Sequence, residues 1–142
     1  MKPIEKRAQA LEKTKKKFGA QPFKWGGNDC AIMVAFHLRQ FGYKPPKTGG
    51  YRSAIGAKKK LTELGFKTIP ELVSSLGLVE IPWAYAQMGD IVSFPSDDPI
   101  GGIGIVWGNG NMMCFHESHL TPVVMSMEQI DKCWSILSVK SA

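Results

Sequence analysis

The chain has 142 residues, 44% hydrophobic and 21% charged, a balance that excludes a mainly disordered polypeptide and suits one domain with one core. Much of its net charge of +6 sits in Lys13-Thr14-Lys15-Lys16-Lys17 and Lys58-Lys59-Lys60. No aromatics interleave with these lysines, so they read as solvated helix faces and not as a nucleic-acid platform. The basic balance alone keeps a nucleic-acid-binding reading open as a remote alternative.

In chain order, residues 3–18 read as a helix with Pro3 in its first turn. Ala8, Leu11, Lys15 and Phe18 trace its semi-apolar stripe over a basic face. Gly19-Ala20-Gln21-Pro22 stops it, and Phe23-Lys24-Trp25-Gly26-Gly27 is a short extended or looped segment. Asn28 reads as the N-cap of the next helix, with Asp29 in its first turn. That helix runs to about Phe41, ends at Gly42, and is apolar nearly all round, as a central helix is. A Pro/Gly loop leads to two short helices, about 53–64 closed by Gly65 and about 70–76 closed by Gly77.

From Leu78 the pattern changes to strands. Ile91–Phe94 and Ile103–Trp107 are two. Gly108-Asn109-Gly110 reads as a hairpin turn into Asn111–His116. Val123–Met125 and Cys133–Val139 follow, and Ser126-Met127-Glu128-Gln129 reads as a capping box opening one helical turn. Helices first and an antiparallel sheet second is an α+β layout. The reading is one domain over 1–142, made of a basic helix over 1–18, a helical part over 22–77 and a sheet over 78–142. No apolar run approaches the roughly 18 residues of a membrane helix. Met1-Lys2-Pro3-Ile4-Glu5-Lys6 lacks a signal-peptide core, so synthesis in the cytoplasm is expected.

Three scattered cysteines, Cys30, Cys114 and Cys133, do not make a disulfide framework. Cys114 and His116 alone are too few ligands for zinc, and no metal or cofactor is expected. Cys30 stands out because a helix N-terminus favours an anion, which would lower the thiol pKa. The same N–H groups can hold an oxyanion, and Gly26 and Gly27 would let a substrate backbone approach. The other reading of Cys30 is a small buried residue on an apolar helix. His37, seven residues along that helix, is about 10 Å away along the axis and reads as a core or boundary residue. His116 and His119 can reach Cys30 only through the tertiary fold.

Pro22-Phe23-Lys24-Trp25-Gly26-Gly27 followed by Asn28-Asp29-Cys30-Ala31 resembles the P-Y-x-W-G-G … D-C-S-G signature of NlpC-type cell-wall cysteine peptidases. Met88–Phe94 resembles their G-D-L-V-F-F strand, and Ile103–Gly110 the strand and turn of H-V-G-I-Y-x-G-N-G. The chain is also similar to a compact variant found in tail modules of tailed phages and prophages. It shares with that variant an F-x-W-G-x-N-D-C block without insertion, Gly49-Gly50-Tyr51, and the aromatic strand at Trp134. The resemblance implies a papain-like core with the cysteine helix packed on a small antiparallel sheet.

It also implies a phage tail protein, made in the host cytoplasm and carried in the virion tail. Its partners would be other tail-tip proteins, with peptidoglycan as a possible substrate and the lysine runs and basic N-terminal helix docking on acidic neighbours. Cys30 would be the nucleophile, supported by Asp29 and Trp25. Two departures stand out: Gly102 occupies the place of the peptidases' histidine base, and Phe23 replaces a tyrosine. Straight counting puts Cys114 at the third polar position. His116, two residues on and on the same strand face, becomes the candidate base, with His119 as substitute. The expectation is a tail component degenerate as an enzyme. The alternative is an active cysteine peptidase or amidase acting on peptidoglycan stem peptides during phage entry.

Overall fold

The computed structural model describes residues 2–115 and 122–139. His116 and His119 therefore lie outside the described residues. Four helices precede the sheet: α1 (Pro3–Phe18), α2 (Cys30–Arg39), α3 (Ala54–Glu63) and α4 (Ile69–Ser74). Six strands follow: β1 (Leu78–Ile81), β2 (Ile91–Phe94), β3 (Gly102–Gly108), β4 (Asn111–Cys114), β5 (Val123–Ser126) and β6 (Lys132–Val139). They form one sheet in the order β1-β6-β2-β3-β4-β5, with every neighbouring pair antiparallel. No helix among the described residues is long and apolar enough to cross a membrane.

The core lies between the helices and one face of the sheet. α2 contributes Met33, Val34 and Leu38, and the strands contribute Ile91, Ile103, Ile105, Met113, Trp134 and Ile136. The intervening residues Val92, Val106, Met112 and Cys133 point to the opposite face, where they form a second, smaller cluster. This is the period-two alternation of a strand written into a sheet buried on both sides.

α1 forms where expected but buries a different stripe. Arg7, Ala10, Leu11, Thr14 and Phe18 face inward. Ala8 is exposed and Lys15 is half-buried, with its ammonium 4.1 Å from the centre of the Trp107 ring. The stripe turns because two of its polar residues have buried partners. Arg7 Nη1 donates to Asp90 Oδ1 at 2.7 Å and to Met88 O at 2.9 Å. Thr14 meets His37, as described below.

α3 and α4 begin on the side-chain caps of Ser53 and Thr68. Gly65 and Gly77, both with φ above 90°, carry the chain out of them. β1 and the 3-10 turn at Trp83–Tyr85 were not distinguished in the sequence. The helical turn expected after Ser126 does not form. Ser126 instead ends β5 opposite Asn111, and Met127 N donates to Gly110 O. Sheet pairing satisfies the backbone that a capping box would have served.

His37 is fully buried at the junction of α1, α2 and the turn before β2. Its Nε2–H donates to Gly89 O at 2.9 Å, and Nδ1 lies 3.0 Å from Thr14 Oγ1. Gln40 Nε2 donates to Thr14 Oγ1 and Ala10 O, and the single Thr14 hydroxyl hydrogen is shared between Ala10 O, at 3.0 Å, and Nδ1. Burial pushes the ring's pKa down to about 4, so it is a neutral imidazole near pH 7. The unfolded chain binds a proton near the ordinary 6.5, so between those values it holds more protons than the fold. Stability is then present above the unfolded pKa and is lost as pH falls. Chemical denaturation from about pH 7 to about pH 5 should show a loss of about 2 kcal/mol from this group. His37→Gln, though less stable overall, should lack that slope.

Candidate active site

Cys30 is the first residue of α2. The cap is Asp29, not Asn28: Asp29 Oδ1 accepts Ile32 N–H at 2.9 Å, while Oδ2 accepts Gly26 N–H at 3.0 Å and the Tyr51 hydroxyl at 2.7 Å. Asn28 is committed elsewhere, its backbone closing a tight turn with Lys24 through two hydrogen bonds of 2.9 and 3.0 Å. Gly26 adopts φ +76°, and a Cβ there would strike the Tyr51 carbonyl. The glycine therefore admits the chain's own backbone and not that of a substrate. Tyr51 was noted only as part of a glycine-rich block. Its role as the Asp29 partner has no local signal, because the contact spans 22 residues.

The thiol faces a narrow cleft lined by Phe23, Trp25, Asp29, Phe94, Asp98 and Phe115, with about 30 Å³ of free space. That is room for about one or two waters. Phe23 and Trp25 meet edge to face at 5.0 Å, and Phe23 packs on Phe115 at 6.1 Å. Trp25 and Asp29 are thus brought to Cys30 as expected. Phe94, Ser96, Asp98 and Phe115 also line the cleft and were missed. They are ordinary strand and loop residues until the sheet folds over α2.

The sulfur is held from the sheet side. Cys30 Sγ donates to Phe115 O at 3.2 Å and accepts from Phe115 N–H at 3.1 Å. Burial, with the Cys114 thiol and the Asp29 and Asp98 carboxylates nearby, pushes its pKa well above the ordinary value. The Phe115 N–H opposes this only in part. The lowered pKa expected from the helix N-terminus is therefore corrected. The dipole favours a thiolate, but desolvation and neighbouring negative charge outweigh it.

Gly102 lies in the same cleft as Cys30, where the resemblance puts a histidine. It is not an open position. A Cβ at residue 102 would stand 2.5 Å from the Phe94 ring and 2.6 Å from the Phe94 carbonyl oxygen, directly across the β2–β3 pair. The Phe94 ring fills the volume in which any side chain from residue 102 would begin. His37, the one histidine among the described residues, is spoken for by Thr14 and Gly89.

The family model described as a domain of unknown function, DUF6950, matches residues 3–136. The chain belongs to the DUF6950 family. No curated protein matches the sequence. Among solved structures, the DUF6950 chain is similar to the NlpC/p60 domain of the peptidoglycan hydrolase SagA, at 18% identity and a TM-score of 0.55 over 91% of this chain and 97% of that one. It is similar to the peptidoglycan hydrolase RipB from Mycobacterium tuberculosis at 17% identity and a TM-score of 0.56, covering 99% of this chain and 70% of that one. It is also similar to NlpC2 from Trichomonas vaginalis at 14% identity and a TM-score of 0.57, covering 92% of this chain and 47% of that one. At these identities the likeness establishes the fold: this DUF6950 member has the α+β, papain-like architecture of NlpC/p60 domains.

Proposed function

We propose that this DUF6950 chain is a non-hydrolytic NlpC-type module of a phage or prophage tail tip that acts in tail structure or assembly. The observation that carries the loss of hydrolysis is the closure of position 102 by Phe94. A cysteine nucleophile needs a base within hydrogen-bond reach, and the strand that supplies one in the peptidases has no room for a side chain. The hydrogen-bonded, protonated Cys30 thiol supports the same reading.

The tail assignment rests on the resemblance of the Phe23–Cys30 block, Gly49-Gly50-Tyr51 and the Trp134 strand to compact tail-module proteins. In this reading the protein is made in the host cytoplasm, resides in the virion tail, and meets acidic tail-tip neighbours through Lys13, Lys16 and Lys17. These three lysines are exposed on α1.

The second reading is a peptidoglycan-cleaving cysteine peptidase. The observation that favours it is Cys30 at the first position of α2, on a cleft rimmed by Phe23 and Trp25. It requires His116 or His119 as base. One experiment separates the two. Particles are produced with the wild-type gene, with Cys30→Ala and with a deletion, and each purified protein is incubated with peptidoglycan. The proposal predicts infectious particles from wild type and Cys30→Ala but not from the deletion, and no stem-peptide release by either protein. Peptide release that disappears in Cys30→Ala would establish the peptidase instead.

A further inference from the structure

β1 and β6 part company at one end of the sheet. Ile81, the last residue of β1, pairs with Cys133. Pro82 follows, and without an N–H it cannot extend the ladder. The other strand turns towards β2 at the same level: Asp131 N–H donates to Ser93 O at 2.8 Å, and Lys132 N–H to Ser93 Oγ at 3.2 Å. Where the two chains diverge lies a groove of about 360 Å³, lined by Pro82 together with Glu80, Ile81, Trp83, Asp131, Lys132 and Cys133. That volume is within the range of small-molecule sites, roughly 300–1,000 Å³.

The lining combines one exposed indole with charges of both signs. The 3-10 turn Trp83–Tyr85 leaves two large aromatics in solvent, and Trp83, 43% exposed, belongs to the groove. Glu80 Oε1 and Lys132 Nζ stand 3.5 Å apart, with both side chains more than half exposed. Asp131, next to Lys132 in the chain, is also exposed. These groups restrict the ligand. An apolar molecule would take three charged groups out of water and give them no partner. An anion would face two carboxylates. A cation would compete with the Lys132 ammonium already on Glu80. A neutral molecule fits if it carries hydroxyls, which donate to carboxylates and accept from an ammonium, and also an apolar C–H face to lie on the indole. A sugar ring has both.

We propose that this groove is a binding site for an uncharged saccharide. Trp83 is the platform on which a sugar ring stacks, Glu80 and Asp131 accept from its hydroxyls, and Lys132 donates to them. Binding is non-covalent and, on so open a surface, of millimolar strength for a short oligosaccharide. The site is independent of any reading of the Cys30 cleft.

The test is an NMR titration of the full chain with chitotriose, cellotriose and maltotriose, each to saturation or to its solubility limit. The signals followed are the Trp83 indole N–H, assigned by its loss in Trp83→Ala, and the backbone amides of Lys132 and Cys133. The expected result is a saturable shift of all three signals with at least one of the trisaccharides. Trp83→Ala, at an exposed position where the fold tolerates change, should weaken that binding at least about tenfold, read from the two amides. Glu80→Gln keeps the shape and removes the charge, and should weaken it about tenfold. The proposal is overturned if none of the trisaccharides moves the Trp83 signal. It is equally overturned if either variant, with an otherwise unchanged amide spectrum, binds like wild type.

Discussion

Asp90→Ala is expected to bring the protein to the edge of unfolding. Asp90 is fully buried and serves three donors: Arg7 Nη1 at 2.7 Å and Ile136 N–H at 2.9 Å on Oδ1, and Gln87 N–H at 2.8 Å on Oδ2. Removing it strands a guanidinium that is only 5% exposed and leaves two amides without partners. Breaking a buried pair from one side costs about 3–5 kcal/mol, and each orphaned donor adds roughly 1–3 kcal/mol. A domain has only about 5–15 kcal/mol in total. Arg7→Met should cost less, about 3–5 kcal/mol, since Asp90 keeps its two amides. Urea unfolding followed by tryptophan fluorescence measures both. Equal, small losses of under about 1 kcal/mol would show that α1 is not pinned to β2 and β6 through this pair.

The second large effect is expected at Gly102. Gly102→Ala should destabilise by about 1–3 kcal/mol, the cost of forcing atoms into a filled space, because its Cβ meets both the Phe94 ring and the Phe94 carbonyl. Gly102→His should cost more and should not create peptidase activity. Removing the ring with Phe94→Ala relieves only part of the clash, since the backbone oxygen stays 2.6 Å away. Thermal melting of the three variants and of Gly102→Ala combined with Phe94→Ala checks this. A Gly102→His protein as stable as wild type would contradict the closed position.

These two sites show which parts of the molecule were legible in the sequence. β2 is bounded as Ile91–Phe94, as its apolar run indicated. The Asn109-Gly110 turn leads from β3 to β4, with Asn109 at φ 54°. Features set by residues close in the chain were readable. The buried face of α1 was not, because Arg7 and Thr14 turn inward to meet Asp90 and His37, 83 and 23 residues away.

The choice between Asn28 and Asp29 as the cap of α2 had a similar cause: the Tyr51 hydroxyl and the Gly26 N–H arrive to claim the Asp29 carboxylate. At the candidate site, the motif led to Cys30, Trp25 and Asp29, and the structure brings them together in one cleft. The environment of the sulfur was not legible. The helix N-terminus is a local feature and argues for a thiolate, while Phe115 and Asp98 reach Cys30 only through the sheet. The substitution at Gly102 was visible, but the reason it admits no side chain depends on Phe94, its cross-strand neighbour.

The central claim is that Cys30 is a protonated, hydrogen-bonded thiol and not an activated nucleophile. The pH dependence of its alkylation tests this most directly. Native protein is treated with iodoacetamide across a pH series, and modification of the Cys30 peptide is followed by mass spectrometry. The account predicts negligible reaction at neutral pH and a rate that rises only above the ordinary thiol range, the direction set by burial and the nearby carboxylates. A rate already at its plateau at neutral pH, with an inflection below it, would contradict the account and return Cys30 to the role of a catalytic thiolate.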